Sequence, residues 1–308
     1  MKNSFMVSVI VPVYNAEKYV RQAVESAIHL PEVGEIILVE DGFPDNALEI
    51  CKQLVNEYSR IKLYQHPNGE NRGAGASRNL GIAKAQFDYI SFLDADDLYL
   101  PHRFKKTAEI FEMDESVDGV YEPVGLHFYS ETGKNMYMQL EQLTEEQVQV
   151  HHTKIYKPLK GRDVFENFFV GGNSGRFHTD GITVKKEVFK RAGIFNESLR
   201  LHQDHELWIR IAYHCNLVPG EFENPVALRG LHDENRITRQ KSTQSQHLYR
   251  KTIFEYFIKG KRPLSWSTKH KIIKMYIRSN PDIVKLKHGS FKRYFFVGLR
   301  FLKAYLFH

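Results

Sequence analysis

Apolar positions along the first hundred residues switch between two spacings. Val7–Val13 is a continuous apolar run of strand length, with Pro12 near its end. Tyr19, Val20, Ala23, Val24, Ala27 and Ile28 then recur at helical spacing, and Asn15 stands where it can cap that helix. The alternation continues. Glu35–Val39 reads as a strand, Asn46–Tyr58 as a helix, Ile61–Tyr64 as a short strand, Ala74–Ala85 as a helix and Tyr89–Leu93 as a further strand. Strand and helix in turn predict an α/β fold, a mostly parallel sheet flanked by helices. Ligands of such sheets gather beyond the carboxyl ends of the strands. The polar clusters Tyr14–Asn15, Glu40–Asp45 and Asp94–Asp97 all fall at predicted strand ends.

The pattern then loosens. Residues 104–170 are less regular, and the polar stretch Thr132–Thr153 reads as strands and a loop over one edge. Gly171–Gly175 is a glycine-rich loop, Gly181–Lys185 a strand, Lys186–Ala192 a short helix and Asp204–His214 a longer one. From about residue 236 the chain turns basic and mainly helical. Three segments follow: 1–103, 104–235 and a C-terminal extension, 236–308.

Charge sharpens that last boundary. Residues 236–308 carry 18 Lys/Arg against two acids, Glu255 and Asp282, whereas residues 1–235 carry 25 against 35. So basic an extension suits a polyanion, nucleic acid or an anionic membrane. In residues 288–308, Phe291, Tyr294, Phe295, Phe301 and Tyr305 share one helical face, and Lys292, Arg293, Arg300 and Lys303 the other. That arrangement suits a helix lying in a membrane interface or one packed on the catalytic body. Membrane is favoured over nucleic acid. Two distant cysteines, Cys51 and Cys215, exclude a disulfide framework and a thiolate metal site and fit a reducing compartment. No signal-peptide pattern and no spanning apolar stretch is read, so the expected location is cytoplasmic, peripheral on the inner membrane face.

Several constellations carry chemistry. In Phe92-Leu93-Asp94-Ala95-Asp96-Asp97, alternate residues of an extended segment would turn Asp94 and Asp96 to one side. Hard carboxylates at a strand end suit Mg²⁺ or Mn²⁺ bridging nucleotide phosphates; a solvated acidic turn reads the same way. Asp41, in Val39-Glu40-Asp41-Gly42, can accept from a nucleobase N–H or ribose hydroxyls, or simply form an Asx turn. Arg72 and Arg78 lie among Gly73, Gly75 and Ala76 at a helix start, where arginines can neutralise phosphate. In Gln203-Asp204-His205-Glu206-Leu207-Trp208, Asp204 precedes the apolar pair by three and four residues. It falls on the inward edge of the first turn, with Glu206 and Arg210 on another face as a surface ion pair. Asp204 is the candidate base, or a carboxylate complementing the helix dipole. His232 is one histidine among 15.

In order, these segments resemble the large inverting glycosyltransferase family with the GT-A fold, family 2. Ser8–Asn15 is similar to its first strand and nucleotide-contacting turn, which brings in Pro12 and Tyr14. Val39–Gly42 resembles its Val-Asp-Asp-Gly-Ser motif, Asn71–Gly81 its Asn-Arg-Gly helix start, Asp94–Asp97 its metal motif, and Val184–Arg210 the stretch ending in Glu-Asp-x-x-Leu-Trp. The resemblance covers about residues 7–235. It implies a nucleotide-diphosphate sugar donor, with a UDP-sugar the first candidate. The base would sit at Asp41, the ribose near Asp94 and Mn²⁺ or Mg²⁺ on Asp96, with His232 near the diphosphate or metal. Residues 1–103 become the nucleotide-sugar half and 104–235 the half for a saccharide or lipid-linked acceptor, with Asp204 as catalytic base.

Three departures stand out: Glu40 where Asp is usual, Phe43-Pro44 for the usual Ser, and Gln203 for Glu before the base. The implied reaction is inverting sugar transfer in cell-surface polysaccharide or glycolipid assembly. A sugar-1-phosphate nucleotidylyltransferase would need a basic, glycine-rich loop where Pro12–Ala16 stands. A non-catalytic relative would have little reason to keep Asp41, Asp96 and Asp204.

Overall fold

The computed structural model describes residues 5–42, 44–169, 175–233 and 243–280. The strands are β1 (Val7–Val13), β2 (Val33–Glu40), β3 (Ile61–Gln65), β4 (Tyr89–Phe92), β5 (Leu98–Tyr99), β6 (Gly119–Tyr121), β7 (Val124–Phe128), β8 (Ile182–Lys185), β9 (Leu217–Pro219) and β10 (Ala227–Leu231). The helices are α1 (Val20–Ile28), α2 (Ala47–Glu57), α3 (Ala74–Lys84), α4 (Lys105–Met113), α5 (Glu131–Glu141), α6 (Glu145–Gln149), α7 (Arg162–Asn167), α8 (Val188–Ala192), α9 (Gln203–His214), α10 (Thr243–Phe254) and α11 (Trp266–Ser279).

The chain divides into two compact units. The larger comprises Met1–Glu197 and Leu207–Arg239, and the smaller Ser198–Glu206 and Gln240–His308. In the larger, a seven-stranded sheet runs β3-β2-β1-β4-β8-β6-β9. The first four strands are parallel, β8 opposes both its neighbours, and β6 and β9 are parallel. Residues 1–103 and 104–235 thus share one sheet. β1 pairs in register with β2 up to Val13 opposite Glu40, and it stays paired across Pro12. Its apolar residues are fully buried because helices cover both faces. A second sheet, β5-β10-β7, pairs β10 antiparallel to β5 and parallel to β7.

One fully buried ion pair ties the central strands together. Arg103 Nη1 donates to Glu122 Oε2 at 2.8 Å, and its other nitrogens reach Asp180 O, Ser91 Oγ, Ile182 O and Thr183 Oγ1. Both side chains are wholly excluded from solvent. Burial raises the Glu122 carboxyl above its ordinary range, and Arg103 opposes that.

Three expectations are corrected. Thr132–Thr153 is helical, as α5 and α6, instead of strands and loop. Ser130 Oγ caps α5 by accepting from Gly133 N, and Thr144 with Gln147 forms a capping box at α6. Tyr137 and Val148 then bury against Leu231. Asn15 does not cap α1: the cap position is Tyr19, and Asn15 lies in left-handed backbone at φ 52°. Glu206 and Arg210 are not a surface pair. They are 2% and 6% exposed, and Arg210 Nη2 donates to Ile194 O at 2.7 Å.

The smaller unit is helical where described, with a π-turn at Glu255–Lys259 between α10 and α11. No described helix is long and apolar enough to cross a membrane. The interfacial helix read over 288–308 and the loop over 171–174 lie outside the described residues.

Candidate active site

Because β2, β1 and β4 are parallel neighbours, their carboxyl ends bring Asp41, Tyr14 and Asp94 to one edge of the sheet. Tyr14 follows β1 and is 39% exposed, while Pro12 lies within β1 opposite Val39. Asp41 is 2% exposed. Its Oδ1 accepts from Arg72 N at 2.7 Å, and its Oδ2 accepts from Gly73 N at 2.9 Å. Asn71 Nδ2 holds its carbonyl at 2.9 Å. The carboxylate therefore anchors the loop that starts α3. Gly73 N is shared with Oδ1 at 3.0 Å, and His66 Nε2 stands 3.5 Å from that oxygen. Gly42 makes the approach possible: at φ +73°, a Cβ there would meet Asn71 N and Gly69 O at 2.8 Å.

Arg78 is 4% exposed and engages Asp94, its Nη2 donating to Oδ1 at 2.5 Å. It fixes a carboxylate instead of projecting into solvent. Burial raises the Asp94 carboxyl, and Arg78 works against that rise. Arg72 is half-exposed, 3.4 Å from Glu197, beside a groove of about 540 Å³ also lined by Tyr64, His66, Asn79 and Lys84. Asp41, Asp94 and Asp96 do not line that groove.

The acidic segment after β4 is a turn closed by Asp97 N to Asp94 O at 3.0 Å, not the extended run expected. Asp94 and Asp96 keep 32% and 30% side-chain exposure, while Asp97 turns inward at 2%. Asp97 Oδ1 accepts from Gly230 N at 2.7 Å, which docks β10 against the turn. A Cβ at Gly230 would collide with Asp96 O, so only glycine permits this approach. β10 then delivers His232, whose Nε2 lies 3.1 Å from Asp96 Oδ2. Tyr19 stacks on the His232 ring at 4.5 Å, and Tyr129 packs on Tyr19 at 4.6 Å. Burial, with Asp96 and Asp97 nearby, keeps the Tyr129 phenol protonated far above neutral pH.

A buried cluster behind the turn escaped the sequence reading. Among the described residues, Asp97, His178 and Asp180 bring one ligand atom each within 4.8 Å of one another. Burial and the Asp180 charge push Asp97 well above the carboxylate range. Burial acts on Asp180 too, but His178 and a hydrogen bond from Asp97 hold it below that range. Each is also engaged by main chain, Asp97 by Gly230 N and Asp180 by Asp94 N at 3.1 Å. The sequence signal was only His178-Thr179-Asp180-Gly181, 81 residues beyond Asp97.

Two groups of residues are candidates for a divalent cation. A cation with bonds of about 2.1 Å sets adjacent octahedral ligands about 3 Å apart. The 3.1 Å between Asp96 Oδ2 and His232 Nε2 meets that spacing, and Asp96 is open to a nucleotide. The triad's two carboxylates are buried and engaged by Gly230 N and Asp94 N, whereas Asp96 is 30% exposed, so Asp96 and His232 fit better.

Asp204 falls in the smaller unit, in the first turn of α9. Its carboxylate is 35% exposed, with His205 Nδ1 at 3.8 Å. Further along, Trp208 is buried against Phe92 and Phe195.

A mostly parallel sheet with helices on both faces and carboxylates at its carboxyl edge defines an α/β architecture. The chain belongs to glycosyl transferase family 2, whose sequence profile it matches over residues 8–190. It is 40% identical to an uncharacterized glycosyltransferase of Haemophilus influenzae over 105 residues, 34% of this chain and 41% of that protein. It is 29% identical to the minor teichoic acid biosynthesis protein GgaA of Bacillus subtilis over 206 residues, 65% of this chain and 41% of that one. The chain thus spans about two fifths of the length of either relative. The crystal structure of S. aureus TarS 1–349 in complex with UDP-GlcNAc superposes with a TM-score of 0.61 at 16% identity, covering 89% of this chain and 71% of that one. That likeness establishes the GT-A fold.

Proposed function

We propose that the chain transfers a sugar from a nucleoside-diphosphate donor, a UDP-sugar first among candidates, to an acceptor hydroxyl with inversion. The observation that carries this reading is the juxtaposition of Asp96 and His232 at the carboxyl edge of the sheet, in a family 2 chain. The fold shared with a protein solved with UDP-GlcNAc supports the donor class, and likeness to a teichoic acid biosynthesis protein supports a surface-polymer acceptor.

Asp41 and the Tyr14 turn hold the nucleoside. Asp94, fixed by Arg78, accepts from ribose hydroxyls. Asp96 and His232 would hold Mn²⁺ or Mg²⁺. Such a cation, when bound, offsets charge growing on the departing diphosphate. Asp204 takes the proton of the acceptor hydroxyl while that oxygen bonds to the anomeric carbon and the bond to the diphosphate breaks. Attack opposite the leaving group inverts the centre.

The test is a panel of nucleotide sugars incubated with the chain, Mn²⁺ and Mg²⁺, followed by release of nucleoside diphosphate. Cation-dependent release from one donor class is expected. Release that persists undiminished in EDTA would remove the cation from the account, and no release from any donor would favour a binding protein.

A further inference from the structure

Helix α11 exposes a stripe that the proposed transfer reaction does not use. Trp266, His270, Lys274 and Arg278 follow one another at four-residue intervals and are all exposed, so they run down one face. Thr268 and Ile272 are buried on the opposite side, and Ile273 is buried at the edge of the stripe, one residue before Lys274. Trp266 is 62% exposed and lies flat against His270, ring centroids 5.6 Å apart and planes 17° apart. Lys274 and Arg278 make no ion pair with any described residue. The surroundings add to the charge: residues 243–280 hold nine Lys/Arg and a single acid, Glu255. That acid is occupied by Lys259 at 3.0 Å.

An exposed tryptophan is costly to leave in water and unnecessary for solubility. Its indole is apolar with one polar N–H, the combination that favours the boundary between headgroups and acyl chains. Cations spaced along the same face complement anionic headgroups. A duplex nucleic acid would satisfy the cations but offers no unstacked base to the indole at one end of the stripe. We infer that this face of α11 docks on an anionic lipid surface, with Trp266 entering the interface and Lys274 and Arg278 meeting headgroup phosphates. The inference is independent of the reaction proposed above and of residues 281–308.

The chain reports on itself here. It has two tryptophans, and Trp208 is buried at 1%. Vesicles of phosphatidylcholine with phosphatidylserine should therefore shift the emission of Trp266 to the blue, and pure phosphatidylcholine should not. A basic residue near an anionic surface contributes about fivefold to partitioning. Lys274→Gln with Arg278→Gln should thus weaken co-sedimentation with the anionic vesicles by about 25-fold. Trp266→Phe should abolish the spectral shift. These residues are exposed, and circular dichroism checks that the variants stay folded.

Vesicle binding by the double variant equal to that of the parent would assign docking to another segment and overturn the inference. So would an absence of shift on anionic vesicles. An equal blue shift with duplex DNA, lost in the double variant, would replace lipid by nucleic acid.

Discussion

His232 presents Nε2 to Asp96 Oδ2 across 3.1 Å, although 136 residues separate them in the chain. Two main-chain facts create that meeting: Asp97 grips Gly230 N, and Gly230 leaves room for Asp96 O. If the pair holds the cation, Asp96→Asn and His232→Ala should each reduce Mn²⁺ affinity at least tenfold in calorimetry and lower turnover. Asp96 is 30% exposed, so Asp96→Asn should leave the melting temperature without metal nearly unchanged, whereas His232→Ala should lower it by removing a ring packed on Tyr19. Unaltered Mn²⁺ affinity in both variants would move the site to the buried triad.

Tyr129 offers a second test of the same region. Its hydroxyl is buried without a hydrogen-bond partner among the described residues, while its ring packs on Tyr19. Removing an unsatisfied hydroxyl removes a desolvation cost. Tyr129→Phe should therefore melt at the same temperature as the parent or slightly higher. A drop of several degrees would reveal a partner, such as an enclosed water.

Asp41 has a structural duty as well as a proposed ligand. Its carboxylate holds Arg72 N and Gly73 N at the start of α3. Asp41→Ala should cost about 1–3 kcal/mol of stability before any nucleotide is added. UDP binding should weaken in addition. Denaturant melts with and without UDP separate the two effects, and a variant as stable as the parent would contradict the anchoring role.

Arg103 has no contact with solvent, and Glu122 depends on it for charge balance. Arg103→Met should destabilise by about 3–5 kcal/mol, the cost of stranding a buried carboxylate. Chemical denaturation measures it. A loss below about 1 kcal/mol would mean that the site relaxes and hydrates.

The sequence made the left half of the sheet legible because β1 to β4 and α1 to α3 follow strict apolar periods, and because Asp94 and Asp96 lie at a strand end. What escaped depends on long-range pairing. Arg103, Glu122 and Asp180 become one buried network only when β4, β6 and β8 assemble, and no local pattern distinguishes them from surface charges. The α5 and α6 helices were hidden by polarity, since besides Gly133 only Tyr137 and Val148 are buried, yet the capping box at Thr144-Glu145-Glu146-Gln147 was a readable signal. The helical wheel placed Trp208 correctly but misjudged Glu206, because α9 is buried from residue 206 to residue 212 and has no free outer face there.

Asp204, by contrast, is 35% exposed at the first turn of α9, so it can be substituted without disturbing the buried residues that follow it. The most direct measurement is the rate of nucleoside diphosphate release from the preferred donor by the parent and by Asp204→Asn, with UDP affinity measured on both. Water serves as acceptor until the natural one is found. Asp204 as base predicts a rate lowered by about 10²–10⁴ with UDP affinity unchanged. An Asp204→Asn variant that is folded and releases diphosphate as fast as the parent would contradict the account.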